Sequence, residues 1–170
     1  ETASIASNAA MTGHLVLSTL HTNDAATTLP RLLDMNVEPF LIASTINVAI
    51  GQRLVRTICP DCKVEKQLTD AEVEALKTSI PLEALKGKRD FFVGVGCKKC
   101  DDSGYRGRIG IHEVIEMSEN LRQLIMKRAT SSEIKAQAVK EGMVPMIVDG
   151  IEKAIAGITT LEEVLRVFHE

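Results

Sequence analysis

Four cysteines, arranged in two Cys-x-x-Cys pairs, have the most clearly defined chemistry in this sequence. Cys59 and Cys62 form one pair within ICPDCK, and Cys97 and Cys100 form the other within GCKKC. Because Zn²⁺ takes four tetrahedral ligands, two such pairs supply a closed thiolate site with no open position, which is structural rather than catalytic. The pattern therefore predicts a structural zinc centre, and a zinc–thiolate centre implies a reducing, cytoplasmic setting.

Two other interpretations of the cysteines stay open. A redox protein usually has one reactive pair at a helix N-terminus, and two remote pairs fit that arrangement poorly. The other alternative is a group of buried free thiols. Residues 63–96 separate the pairs, which is longer than the common zinc-ribbon spacing, so we expect an inserted helix over 69–77 to fill the gap.

A second group of candidate residues surrounds the apolar segment 14–20, HLVLSTL, which predicts a buried β-strand. Open α/β sheets bind ligands beyond the carboxyl ends of their strands. His21, Thr22 and Asn23 follow that end and precede a helix N-terminus, which favours a phosphate. His14 lies at the opposite end and is a weaker candidate. For both histidines, the alternative is a polar residue that leaves the core.

A small basic cluster accompanies the second cysteine pair. Arg106 and Arg108 lie in YRGRIG, and Lys98 and Lys99 lie between the two cysteines of the pair. These charges either are simply solvated, or contact a phosphate or nucleotide, or bridge subunits. The sequence has no G-x-x-x-x-G-K-[ST] phosphate loop, no H-E-x-x-H pattern and no nucleophile elbow.

The elements that must position these residues are predicted as a parallel α/β sheet followed by helices. A helix over 2–11 precedes the strand 14–20, and this order favours a parallel sheet. A helix around Leu29 contains Pro30, where the helix either kinks or begins after a Thr28 cap. The remaining predicted elements are a buried helix over 38–58, a helix beginning at Thr69 with a Thr69–Glu72 capping box, a strand over 91–95, a strand or hairpin over 109–115, and helices over 119–128, 131–141, 145–156 and 159–168, with caps at Ser118 and at Ser131 or Ser132.

Composition and charge limit the remaining classes of function. The 170 residues have a net charge of −3, so there is no global attraction to nucleic acid or anionic lipid. No apolar run approaches the ~20 residues of a membrane-spanning helix. The sequence starts without Met and already in helical rhythm, so we expect it to be a piece of a longer chain.

Four motifs resemble one known family along essentially the whole sequence. TGHLVLSTLHTNDA is similar to the histidine box of the secretion ATPases, the motors of type II secretion and type IV pilus extension. RLLDMNVEPFLIASTINVAIGQRLVRTICPDCK and CKKCDDSGYRGRIGIHEVIEM resemble the segments that carry the two cysteine pairs in that family. GITTLEEVLRV resembles the family's C-terminal ending.

The resemblance implies a RecA-like P-loop NTPase domain that works as a homo-hexamer with ATP and Mg²⁺. It implies a cytoplasmic motor docked on the bacterial inner membrane, where it drives a platform protein. The histidine box maps onto His14 and His21, near the nucleotide phosphates, with Thr22 beside them and His21 suited to sense the γ-phosphate. Arg106 and Arg108 map near the nucleotide. Four cysteines favour the extension or secretion branch, since retraction-type relatives lack them.

The sequence also departs from the family pattern. The phosphate loop, the aspartate box and the Walker B glutamate are absent, and the resemblance places them upstream of Glu1. We therefore expect this chain alone to bind ATP weakly and not to hydrolyse it. The expected organisation is a partial RecA-like sheet over 1–57, a Cys₄ zinc subdomain over 58–104, and a hairpin with a small helical bundle over 105–170. Without its neighbouring strands, segment 14–20 should be an exposed apolar edge, or else the chain should rearrange or self-associate.

Two hypotheses from other classes remain. One is a stand-alone zinc module that binds nucleic acid or protein through the basic cluster. The negative net charge and the single Tyr argue against this hypothesis. The other is a thiol–disulfide protein. Under the favoured hypothesis no nucleic-acid partner is expected.

Overall fold

The computed structural model describes residues 2–77 and 80–169, which form two compact units. The first unit comprises Glu1–Gly51 and Glu113–Val144, and the second comprises Gln52–His112 and Pro145–Glu170. The α/β class is confirmed. The described elements, in chain order, are α1 (Thr2–Met11), α2 (Ala25–Asp34), α3 (Pro39–Thr45), β1 (Val48–Ile58), β2 (Lys63–Gln67), α4 (Asp70–Leu76), β3 (Asp90–Gly94), β4 (Tyr105–Glu116), α5 (Glu119–Met126), α6 (Ser131–Lys140), α7 (Met146–Ile155) and α8 (Leu161–His169).

The first unit packs helices around an aliphatic core. Leu29 of α2, Ile42 of α3 and Ile115 of β4 are almost fully buried in it, together with residues of α5 and α6. Helix α2 begins at Ala25 because the side chain of Asp24 accepts a hydrogen bond from the Thr27 N–H at 2.8 Å. The helix runs through Pro30, so of the two alternatives the start at Pro30 with a Thr28 cap is excluded. The Asp24 cap and the burial of Leu29 outweigh the one hydrogen bond that proline removes.

The second unit combines a two-stranded antiparallel sheet with the two C-terminal helices. Strands β2 and β3 pair in a register that sets Lys63 opposite Gly94 and Gln67 opposite Asp90. Phe91 of β3 packs with Ile151 of α7 and Val164 of α8 in an aliphatic core. The other described sheet pairs β1 with β4, and both of these strands contribute residues to both units.

The predicted buried strand over 14–20 is wrong. These residues have no regular secondary structure and, up to Thr19, are exposed, with Leu15 and Leu17 at 87% and 88% exposure. A strand needs a neighbour for its backbone N–H and C=O groups. Neither of the two described sheets contains this segment. The exposure expected for an apolar segment without its neighbouring strands is confirmed.

The single helix predicted over 38–58 is also wrong in its second half. Helix α3 ends at Thr45, and an eleven-residue strand, β1, follows it. Val48, Ile50 and Val55 are β-branched and favour a strand once a partner, here β4, is present. Local sequence favoured a helix because the stretch is largely apolar without a strict period of two.

Most of the other element predictions are confirmed, including α1, α4 with its Thr69–Glu72 capping box, β3, and helices α5 to α8. The cap of α6 is Thr130, not Ser131 or Ser132, and Ser118 caps α5 as predicted. The three-part division of the chain stays a prediction. None of the helices within 2–77 and 80–169 has both the length and the apolar character that crossing a bilayer requires.

Candidate functional site

Two strand pairings bring the cysteine pairs together. Cys59 and Cys62 lie between the end of β1 and the start of β2, and Cys97 and Cys100 lie between β3 and β4. Because β2 pairs with β3, the ends that carry the two pairs are adjacent, and the Val95 N–H donates to the Cys62 carbonyl at 3.1 Å. The segment between the pairs therefore forms the support of the centre, with α4 within it as expected.

The sulfur positions match one tetrahedral metal ion. The Sγ atoms of Cys59 and Cys97 are 3.9 Å apart, those of Cys62 and Cys100 are 3.8 Å apart, and those of Cys97 and Cys100 are 3.6 Å apart. All four lie within 4.8 Å of one another. A tetrahedron with Zn–S bonds of about 2.3 Å has sulfur–sulfur edges of about 3.8 Å. The residues present therefore fit a Cys₄ metal site, and three of the four are buried.

Backbone N–H groups and tight turns support the thiols. The Cys97 N–H donates to the Cys100 Sγ at 3.3 Å. Burial raises the pKa of the Cys62 thiol to about 12, and the neighbouring thiols add to this. Burial also acts to raise the pKa of Cys100, but N–H donors from Cys97 and Gly104 outweigh it and lower that pKa to about 7.

Two glycines allow these turns. Gly96 has φ +93° and Gly104 has φ +76°, which side chains rarely adopt. A Cβ on Gly104 would also lie 2.4 Å from the Gly94 carbonyl oxygen, and one on Gly96 would lie 2.8 Å from the Asp102 carbonyl oxygen. The close approach of the backbone around the cysteines therefore requires glycine at both positions.

The basic cluster beside the cysteines is partly neutralised. Asp61, within the first pair, forms an ion pair with Lys99, and Arg106 Nη1 lies 3.9 Å from Asp61 Oδ2. The hydrogen bond from Lys99 lowers the pKa of Asp61. Arg106 and Arg108 are both exposed on β4, and their contact with a nucleotide stays a prediction.

His14 has local partners at the end of α1. Its Nδ1 lies 3.0 Å from the Thr12 Oγ1 and 3.2 Å from the Ala9 carbonyl oxygen, so its ring closes the C-terminal turn of that helix. His14, His21 and Thr22 belong to the first unit, whereas the two arginines belong to the second. The nucleotide role of His14 stays a prediction.

His21 and Thr22 do precede a helix N-terminus, as predicted. His21 is exposed, and the Thr22 Oγ1 lies 3.0 Å from the Thr28 Oγ1 of α2. Two of the first N–H groups of α2 already donate hydrogen bonds to carboxylates of the protein. The Thr27 N–H donates to Asp24, and the Ala25 N–H donates to a glutamate that is distant in sequence. A phosphate at this point would therefore meet side chains rather than these two N–H groups.

That glutamate, Glu113, is a residue that the sequence analysis missed. It is 2% exposed, and its Oε1 accepts the Ala25 N–H at 2.9 Å. The signal was present in the alternation of β4, where Ile111, Glu113 and Ile115 share the inward positions. A carboxylate at an inward strand position is rare unless it has a partner.

A second missed group surrounds Glu163 of α8. This side chain is 2% exposed and accepts hydrogen bonds from the Arg56 guanidinium, from the Arg56 N–H at 3.1 Å and from Arg166 Nε at 3.0 Å. Burial alone would raise the pKa of Glu163, but the Arg56 and Arg166 donors outweigh it and lower that pKa to about 2. The Arg56 Cζ lies over the Tyr105 ring, 4.1 Å from the ring centroid. The group joins α8 to the strand ends beside the cysteines.

Comparison with known sequences defines the class of protein. A sequence model of the family described as "Type II/IV secretion system protein" matches residues 1–166. The chain therefore belongs to this family, and the resemblance seen in the four motifs is confirmed.

Individual relatives are ATPases of two kinds. The type IV pilus assembly ATPase PilB of Myxococcus xanthus is 44% identical over 97% of this chain and 29% of its own length. The type II secretion system ATPase E of Vibrio cholerae is 45% identical over 100% of this chain and 33% of its own length. The chain thus spans about a third of the length of these relatives.

A solved structure supports the fold. The X-ray structure of the ATPase DotB of Legionella pneumophila matches with a TM-score of 0.60 and 21% identity, covering 99% of this chain and 35% of that one. At this identity the likeness shows the fold alone. It establishes that an ATPase contains a region built like this chain.

Proposed function

We propose that the chain is the C-terminal part of a hexameric ATPase that powers type IV pilus assembly or type II protein secretion. The observation that carries this proposal is the 44–46% identity of nearly the whole chain to relatives named as ATPases of both kinds. The parent protein would be cytoplasmic, docked on the bacterial inner membrane, and would couple ATP hydrolysis to a platform protein.

The chemistry that this chain lacks would come from the part of the parent that precedes it. That part would supply the phosphate loop, the acidic residues that organise Mg²⁺, and the other strands of a RecA-like sheet. Segment 14–20 would join that sheet as a strand, which accounts for two leucines that are almost fully exposed in the present chain. His21, His14 and Thr22 would act near the phosphates, and Arg106 and Arg108 would contact the nucleotide.

The four cysteines would hold one structural Zn²⁺, which supplies a cross-link and no open coordination position. The chain's own contribution is to gather the thiols through β2 and β3 and to tie α8 to the same region through Arg56 and Glu163. The zinc centre would thereby brace the second unit.

The test compares the full-length parent with this chain. Purified parent should hydrolyse ATP in the presence of Mg²⁺, and a parent with the phosphate-loop lysine replaced by alanine should not. The 170-residue chain alone should show no hydrolysis above buffer. Absence of activity in the parent would contradict the proposal, and activity in the chain alone would contradict the division of roles. Loss of pili or of secreted protein in a deletion strain would then distinguish the two kinds of motor.

A further inference from the structure

The buried carboxylate of Glu113 holds the first residue of α2. Its Oε1 accepts the Ala25 N–H at 2.9 Å across 88 residues of sequence. Glu113 is 2% exposed, so little water competes for this hydrogen bond. A carboxylate that accepts a hydrogen bond from a backbone N–H at a helix N-terminus makes a charge-assisted hydrogen bond. Its negative charge also interacts favourably with the positive end of the helix dipole. The first residue of α2 is therefore fastened to strand β4.

A second carboxylate, that of Asp24, links the start of α2 to another helix. Asp24 caps α2 through Thr27, and its Oδ2 lies 3.3 Å from the Nζ of Lys135 in α6. The start of α2 is thus fastened to β4 and to α6 by contacts distant in sequence. Both contacts lie within the first unit.

The residues just before this fastened point are the candidate phosphate contacts. His21 and Thr22 immediately precede the bend at Asn23 and Asp24, whereas segment 14–19 is exposed and lies outside the described sheets. Leu20 packs against the core. The position of the imidazole therefore depends on the start of α2 on one side and on Leu20 on the other, whereas residues 14–19 are exposed and belong to neither described sheet.

We propose that Glu113 is a positioning residue that fixes the start of α2 and thereby places His21 for the nucleotide phosphates. This inference rests on the proposed ATPase function of the parent. Glu113 does not touch the nucleotide. It holds the start of α2 through the Ala25 N–H, and Lys135 holds the same point through Asp24.

The experiment is a double-mutant cycle in the full-length parent, with kcat and KM for ATP measured for each variant. Glu113→Ala should lower kcat by roughly 10- to 100-fold while KM changes less than about twofold, since a misplaced group costs the chemical step. Glu113→Gln, which keeps an acceptor oxygen, should recover most of kcat. In a His21→Ala background, Glu113→Ala should lower kcat no further.

Lys135→Ala provides a variant that should remain folded, because this side chain is 42% exposed. It should lower kcat by a smaller factor, again only when His21 is present. Glu116→Ala is the matched control, since Glu116 is exposed on the same strand. Its kcat should equal that of the unmodified protein. Melting temperatures of all variants set an assay temperature at which every protein is folded.

The outcomes separate the two levels of the proposal. If Glu113→Ala and Lys135→Ala lower kcat by the same factors with and without His21, their role is purely structural and the inference is overturned, while the ATPase proposal stands. If His21→Ala leaves kcat unchanged, there is no group to position and the inference also fails. If the unmodified parent does not hydrolyse ATP, the proposed function itself fails.

Discussion

The spacing of the four cysteine sulfurs is a residue-scale property that matches the coordination chemistry of one ion. Separations of 3.6–3.9 Å are those of thiolates around a tetrahedral Zn²⁺, whereas a disulfide would bring two sulfurs to about 2.05 Å. The geometry therefore favours the metal hypothesis over the redox one.

Removal of one thiol should release the metal. Cys59→Ser should lower the zinc content from one ion per chain to about zero. It should also cost about 4 kcal/mol of stability, which lowers the Tm by roughly 10 °C. Elemental analysis and thermal unfolding measure both effects, and chelation of the unmodified protein should reproduce them. Four thiols should react with a thiol reagent only after chelation. An unchanged Tm in both treatments would contradict the structural role.

The carboxylate of Glu163 predicts a pH dependence. Its pKa is about 2 in the folded chain, below the ordinary value of 4.5, so the unfolded chain binds the proton more tightly. The stabilisation from this group is complete above about pH 5 and is lost as the pH falls towards 2. Glu163→Gln should therefore cost about 3 kcal/mol at pH 7 and much less at pH 3.

Urea unfolding at both pH values measures this difference between the two proteins. Glu162→Gln is the matched control, because the Glu162 side chain is 74% exposed and lies 3.9 Å from Lys66. Its cost should be small at both pH values. A cost for Glu163→Gln that does not depend on pH would show that the ion pairs with Arg56 and Arg166 contribute nothing.

At the scale of elements, what could be predicted from the sequence divides by the range of the interactions. Helices α4 and α5 could be predicted because their caps lie within a few residues of sequence. The strand β1 could not, because its partner β4 begins 47 residues after β1 ends, and an apolar stretch without strict alternation fits either state. The cysteine centre was predictable from the spacing of the cysteines. The roles of Glu113 and Glu163 were not, because their partners are distant in sequence.

The cap of α6 offers a test of how much a short-range hydrogen bond stabilises a helix end. Thr130 Oγ1 accepts the Glu133 N–H at 3.3 Å, and Glu133 accepts in return from the Thr130 N–H at 2.8 Å. Thr130→Ala should cost about 1 kcal/mol, which is a Tm decrease of roughly 3 °C. Ser131→Ala should change the Tm by less than about 1 °C, since Ser131 is the first helical residue and not the cap. The opposite order would show that the helix begins one residue later.

At the scale of the whole molecule, the exposed segment 14–19 should determine how the isolated chain behaves in solution. Leu15 and Leu17 present apolar surface to water, and their segment belongs to neither described sheet. Such a segment favours association with a second copy. We expect the isolated chain to self-associate at micromolar concentrations, and we expect Leu15→Asp with Leu17→Asp to shift it towards monomer.

Sedimentation at several concentrations measures this association. Val139→Asp, at a half-exposed apolar position on α6, is the matched control and should not change the mass distribution. In the full-length parent the same double substitution should lower the Tm, because there the segment is proposed to be a buried strand. A parent that tolerates it without loss of stability would contradict the RecA-like assignment of residues 14–20.

The separation of the cysteine pairs has a consequence for the order of events during synthesis. Cys62 and Cys100 are 38 residues apart, so a ribosome adding about 5–20 residues per second presents the first pair roughly 2–8 seconds before the second. During that interval Cys59 and Cys62 are a two-thiol half-site that can hold an ion only weakly or exchange it. Tight capture has to wait until β2 and β3 have paired, so the rate at which a nascent chain acquires zinc should report the rate at which those two strands meet.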